Sequence, residues 1–227
     1  QTCCDCGKRK YCVADYLIGK RLKNAEQFQI RNSSHRPDET VFCQGQRINA
    51  LFFVKSGSVK NVYTDEDGEQ QILGFHFSGE IVDPISLQHA NHLSSLITLE
   101  NTLLCAFPLH LVQEGCDKLP TFSVHIRNRS EAESRQRHET LLSINRRGAL
   151  DRLAAFLLDM SLRQNLVHDN SASLRLPMTR ADIANYLGLA PETVSRTFSK
   201  FKEQGLILAQ KKYIRINDIE KLAHFCN

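Results

Sequence analysis

The stretch from Thr179 to Ile216 constrains the fold of this chain most. Thr179 is followed three residues later by Asp182, an acidic variant of the capping box that opens a helix. Ile183, Ala184 and Leu187 form that helix's apolar stripe, Gly188 follows it, Leu189 plugs the turn, and Pro191 stands at the favoured first position of a second helix. Val194 with Phe198 or Phe201 carries the next stripe. Small Ala184 lets the helices approach closely, and Gly188 can take positive φ at the turn. The pattern predicts a helix-turn-helix, whose second helix enters the major groove of double-stranded DNA. Residues 205–216, with Lys211-Lys212 at the centre, predict a β-hairpin that makes the motif winged. On the second helix, Glu192, Thr193, Ser195 and Arg196 are the polar residues of the first turns. Arg196 can fork onto guanine O6 and N7, Glu192 can accept from cytosine N4, and Ser195 suits a base or a phosphate. Lys200, Lys202, Lys211 and Lys212 suit phosphates, which position without specifying, and Arg180 is a further DNA-binding candidate.

The charge distribution agrees. Of 29 Lys+Arg and 25 Asp+Glu, residues 171–227 hold nine basic and five acidic side chains, so this segment carries the whole net charge of +4. A basic module on a neutral body suits phosphate contact.

Upstream, the text changes character. Between about Ser34 and Pro108, short β-type runs at 40–42, 51–55, 58–63, 71–77, 96–98 and 103–107 alternate with turn signals at Gly45, Ser56-Gly57, Asp67-Gly68 and Ser78-Gly79. Such spacing predicts an antiparallel sandwich or jelly roll. Residues 17–30 read as a short amphipathic helix. From about Leu119 to Ile144 the chain reads as one long helix, with Pro120 in its first turn. Within residues 127–140 there are four Arg, three Glu and one His, and Ala132 is the sole apolar side chain. That segment lacks the apolar stripe needed to pack on a hydrophobic sheet. Gly148 breaks the pattern, residues 149–166 resume a helix with a strong apolar face, and residues 168–173 form a polar linker. The apolar runs are too short to span a bilayer, so no membrane role is expected.

Four of the eight cysteines, Cys3, Cys4, Cys6 and Cys12, crowd the first twelve residues beside Lys8-Arg9-Lys10. A stapled secreted scaffold would spread its cysteines, whereas a crowded set without a leader points to metal ligation in a reducing cytosol. Cys43, Cys116 and Cys226 read as small buried apolar residues.

The order of β-roll, long helix and winged helix-turn-helix resembles the Crp/Fnr superfamily of bacterial transcription regulators. Residues 179–196 are similar to the Fnr branch in particular, as are Gly74-Phe75-His76-Phe77 and the run from Asp151 through Arg152 to Phe156. The resemblance implies an α+β chain in four parts: a Cys-rich tail (1–16), a cyclic-nucleotide-binding-like antiparallel β-roll (17–118), a dimerisation helix (119–146) and a winged helix-turn-helix domain (147–227). It further implies that Glu192, Ser195 and Arg196 read TTGAT-type half-sites, and that the regulator is cytoplasmic and contacts RNA polymerase. Cys3, Cys6 and Cys12, with Cys105, resemble the family's four ligands to an oxygen-labile 4Fe–4S cluster. Four soft thiolates suit such a cluster independently, while tetrahedral zinc and a thiol redox switch use the same donors. Cys4 can substitute for Cys3.

Two departures stand out. The cyclic-nucleotide branch holds the cAMP phosphate with a roll Arg-Ser after a Gly-Glu motif. Here Gly79-Glu80 is present, but residues 92–97 contain no Arg, so an anionic phosphate finds no bidentate partner and no cAMP binding is expected. The long helix also lacks an apolar dimer seam at Arg127, Ser130, Ser134 and Arg137, leaving Val124, Ile126, Leu141, Leu142 and Ile144 as anchors at its ends. Pairing through Ile126, Arg137, Leu141 and Ile144 then predicts a weak, salt-sensitive homodimer. A cluster-free regulator that answers a small effector or thiol redox state is the alternative. No GxSxG, P-loop, HExxH or paired-carboxylate signature is present, so an enzyme is not expected.

Overall fold

The computed structural model describes residues 31–146, 148–165 and 173–225. The cysteines of the tail, the helix expected at 17–30, Cys226 and most of the polar linker lie outside the described residues. Compact contacts divide the chain into Gln1–Arg137 and His138–Asn227, a division that falls inside the long helix.

The first unit is a sandwich of two antiparallel four-stranded sheets. One runs in the order β1 (Arg31–His35), β8 (Thr102–Pro108), β3 (Ala50–Ser56), β6 (Ile81–Val82). The other runs β2 (Thr40–Phe42), β7 (Ser95–Thr98), β4 (Ser58–Thr64), β5 (Gln70–Phe77). Phe42, Val54, Val59, Val82, Leu96 and Leu104 meet as one buried cluster. The turn glycines behave as their sequence context requires: Gly57 has φ +86°, and a Cβ there would stand 2.6 Å from the Asn101 carbonyl oxygen. The other face of β3 and β8 is covered by helices. Leu51, Phe53, Ile81, Cys105 and Phe107 pack with Val112 of α1 (Leu109–Lys118) and with Phe122 and Ile126 of α2 (Pro120–Arg146).

The polar middle of α2 also reaches the roll, through charge. The Arg137 guanidinium donates to Asp83 at 3.0 Å and to Glu133 at 2.6 Å, with Asp83 only 3% exposed. Asp83 adopts φ +46°, a conformation that Asp tolerates better than most residues. Two residues expected in the dimer seam make contacts to the roll. Ile126, 8% exposed, and Arg137 point at the roll because an apolar cluster and a buried carboxylate lie on that side. Leu141 is 60% exposed, while Ile144 is half-buried beside Gly188.

In the second unit, α3 (Ala149–Asn165) packs Leu153, Ala154, Phe156, Leu157 and Met160 inward. It supports α4 (Arg180–Leu187), α5 (Pro191–Glu203), the hairpin β10 (Ile207–Gln210)–β11 (Tyr213–Ile216) with β9 (Ser173–Arg175) on its outer edge, and α6 (Ile219–His224). No helix among the described residues is long and apolar enough to cross a membrane.

Candidate nucleic-acid interface and cysteine site

The helix-turn-helix is assembled from local chemistry. Thr179 Oγ1 accepts the Asp182 amide at 3.0 Å, and the Asp182 carboxylate accepts the Thr179 amide at 2.9 Å, closing the capping box. Gly188 ends α4 at φ 61°, ψ 43°, and the Leu189 amide bonds back to the Ala184 carbonyl at 2.9 Å. Arg152 of α3 donates to the carbonyls of Leu187 and Gly188 at 3.0 and 3.1 Å, satisfying acceptors that a helix end leaves open. Thr140 Oγ1 and the Tyr186 hydroxyl lie 3.0 Å apart, tying the last turns of α2 to α4.

On α5, Val194, Thr197, Phe198 and Phe201 are buried at helical spacing. The opposite face presents Glu192, Ser195, Arg196, Lys200 and Lys202, all exposed, with Thr193 half-buried. Ser195 Oγ donates to the Pro191 carbonyl at 3.0 Å, and Arg196 reaches Thr193 Oγ1 at 3.4 Å, a long contact that leaves the guanidinium fork outward. No ion pair joins Arg196, Lys200, Lys202, Lys211 or Lys212 to a described carboxylate. Exposed cations without a described counter-charge are what contact with a phosphate backbone requires. Lys211 and Lys212 stand exposed at the hairpin tip, Lys211 at φ +53°. Arg180 is half-buried, its guanidinium carbon 3.4 Å from the centroid of the Phe198 ring.

The cysteine site is represented by Cys105 alone. It lies in β8 opposite Asn32 of edge strand β1 and Phe53 of β3. Its thiol donates to Asn32 Oδ1 at 3.1 Å, and the residue is 5% exposed. Cys43, Cys105 and Cys116 form no disulfide. Cys43 is exposed, contrary to the expectation of burial, because it lies between β2 and the turn at Gly45. Cys116 is half-buried, and burial beside Asp117 pushes its thiol pKa up, which makes it a poor thiolate. Among the described residues no three His, Cys, Asp or Glu side chains converge as a metal site.

Sequence reasoning missed Asp83, Asn32, Arg152 and the partnership of Phe198 with Arg180. Each acts across a long sequence separation that periodicity does not register. Arg152 was visible only as part of the Fnr-like run.

The fold and the exposed basic helix define a DNA-binding transcription regulator. Comparisons agree: the Crp-like helix-turn-helix domain matches residues 151–225, and the cyclic nucleotide-binding domain matches residues 33–118. The chain is 31% identical over 220 residues to the anaerobic regulatory protein of Haemophilus influenzae, covering 97% of this chain and 86% of that one. It is 29% identical over 221 residues to the fumarate and nitrate reduction regulatory protein of Salmonella typhimurium, covering 97% and 88%. Among solved structures, FixK2 from Bradyrhizobium japonicum superposes with a TM-score of 0.79 at 24% identity, covering 87% of this chain and 98% of that one. The chain belongs to the Crp/Fnr superfamily, in its Fnr-like branch, a family of transcription regulators and not of enzymes.

Proposed function

We propose that the chain is an oxygen-responsive transcription regulator whose grip on a palindromic TTGAT-type site depends on a 4Fe–4S cluster held by Cys3, Cys6, Cys12 and Cys105. The observation that carries this reading is where Cys105 sits. It shares one packed cluster with Phe122 and Ile126, the first turns of α2, so a change at its sulfur acts on that helix through direct contact. Strand β1 runs beside this cysteine, with Arg31 opposite Ala106 and Asn32 opposite Cys105. The donor set is all thiol, which fits iron–sulfur chemistry, and the Cys105 thiol donates to the neutral amide oxygen of Asn32. When bound, the cluster supplies an oxygen-labile centre. The relatives named for anaerobic regulation and for fumarate and nitrate reduction support the same direction.

The parts run as 1–16 for cluster binding, 17–118 for the sensory roll, 119–146 for pairing and 147–227 for DNA. Pairing uses the face of α2 turned away from the roll: Val124, Arg127, Glu131, Ser134, His138 and Leu141, exposed at alternating spacings of three and four. Arg127 and Glu131 approach to 4.0 Å on this face, and its apolar groups stand only at the ends. Leu141 stays in the seam, while Ile126, Arg137 and Ile144 support it from behind. Such a homodimer is weak and salt-sensitive, and a small gap between monomer and dimer is what a switch needs. Once paired, two α5 helices stand about 34–36 Å apart, one turn of DNA. Glu192, Thr193, Ser195 and Arg196 read bases, while Arg180 and Lys200 hold phosphates. Contact with RNA polymerase follows by family resemblance.

The test is anaerobic expression, iron and sulfide analysis, and DNA binding before and after air. Cys105→Ser is expected to remove cluster and air sensitivity together, and equal DNA binding by apo and cluster-loaded chains would reject the switch.

The cluster-free alternative is favoured by one feature. Both amide atoms of Asn61, Ser94 Oγ and His92 Nδ1 are buried without a hydrogen-bond partner among the described residues, and a Cβ at Gly74, opposite Asn61, would meet nothing within 4 Å. A small polar effector would satisfy such atoms, and that reading predicts DNA binding that survives replacement of all four ligands.

A further inference from the structure

We infer that Phe198 is a positioning residue for DNA contact, its ring holding the Arg180 guanidinium flat so that the outward N–H edge meets a backbone phosphate. The inference rests on the reading above that Arg180 touches DNA, and it assigns the reason that contact is made well.

The ring of Phe198 is fixed before any ligand arrives. The residue is 4% exposed and belongs to the buried stripe of α5 with Val194, Thr197 and Phe201. Arg180 opens α4 directly after the capping Thr179, so its backbone is fixed as well. Between these two anchors the guanidinium carbon lies 3.4 Å from the ring centroid, which is stacking contact over the face. An aliphatic side chain would fill the same core volume, but only an aromatic ring offers a negative face to a cation.

Arg180 makes no ion pair with a described carboxylate. The nearest acid in sequence, Asp182, accepts the amide and hydroxyl of Thr179 in the capping box. Burial disfavours the charged guanidinium, so the fold has placed a half-buried cation where the described residues supply no anion. In helix-turn-helix complexes the first helix crosses the DNA backbone, and Arg180 stands at its start. The ring shields one face of the guanidinium and leaves its donor edge as the site for phosphate. Ordering this long side chain in advance removes an entropic cost that binding would otherwise meet.

A double-mutant cycle tests the assignment, using the full chain, a TTGAT-type palindrome and a random duplex at low salt, with thermal melts alongside. Arg180→Gln is expected to weaken both duplexes and to lower the salt slope by about 0.9, one phosphate contact. Phe198→Leu is expected to weaken both about fivefold, the range of a partly desolvated cation–π contact, and to cause no further loss in the Arg180→Gln background. Equal losses in both backgrounds, or no loss from Phe198→Leu, would overturn the assignment. Should Phe198→Leu fail to fold, Arg180→Lys decides: it keeps the charge and gives up the planar stack. A similar fivefold loss supports the inference, and wild-type affinity overturns it. If Arg180→Gln alone binds like wild type, Arg180 does not touch DNA, and that earlier reading falls with this one.

Discussion

The buried ion pair between roll and helix gives the sharpest energetic prediction. Arg137→Met keeps much of the side chain's volume and removes its charge. Asp83, 3% exposed, then stays in the interior without its cation, and Glu133, whose side chain is 14% exposed, loses the same partner. Breaking one side of a buried pair costs about 3–5 kcal/mol, whereas an exposed pair is worth about 0–1. Arg137 itself is 25% exposed, so the lower end of the first range applies, about 3 kcal/mol. Hydrogen exchange read by mass spectrometry on peptides from residues 40–108 measures this directly. A loss of 3 kcal/mol raises their exchange by about two orders of magnitude when opening is reversible. Peptides from residues 180–216 serve as an internal control and are expected to keep wild-type protection. Adding Asp83→Asn should recover part of the loss, since the more deeply buried of the two carboxylates is then neutral and Asn suits the positive φ of that position. Roll exchange raised by less than about threefold in Arg137→Met would refute the reasoning, since the pair would then behave as a surface pair.

Other consequences concern the DNA-binding domain and pH. Gly188→Ala forces a side chain onto φ +61° with the Ile144 side chain 3.4 Å away, and should cost about 1–2 kcal/mol in a circular-dichroism melt. Arg196→Ala should lose about 1–3 kcal/mol on the palindrome and far less on a random duplex, whereas Lys212→Ala should weaken both alike and lower the salt slope by about 0.9. Burial holds the His92 imidazole below the ordinary histidine value, against the pull of Asp83, and burial with Arg129 does the same for His125. The unfolded chain therefore binds protons first as pH falls, so stability is intact above about pH 6.5 and declines below it. Replacing His92, which stacks on Phe42 with ring centroids 3.6 Å apart, by Gln should flatten that decline in denaturant titrations.

Much of the architecture was legible because it is written in local signals. The Thr179–Asp182 box, Gly188 and Pro191 each act within a few residues, and the structure places all three where the spacing predicted. Strand β2 coincides with the run read at 40–42 for the same reason, a β-type run bounded by turns. Strands β1 and β6 were not read: β1 carries only polar side chains, and β6 is two residues long. Both exist because a neighbour supplies their ladder. The roles within α2 were the least legible. Its charged middle was read as lacking a partner on the sheet, yet a carboxylate 54 residues upstream provides one for Arg137. Arg137 therefore faces the roll, as Ile126 does through its apolar cluster. At the candidate sites, residue types and spacing pointed to candidate donors, but not to the ring that Arg180 stacks on or the amide that meets Cys105.

The central claim ties four thiols to the affinity for DNA, and one anaerobic titration tests it. The full chain, reconstituted with iron and sulfide, is analysed for bound metal and its affinity for the palindrome is measured before and after exposure to air. The account predicts about four iron and four sulfide per chain, tight binding without oxygen, and loss of both together in air. A chain that takes up no iron, or that binds the palindrome equally with and without it, would contradict the account.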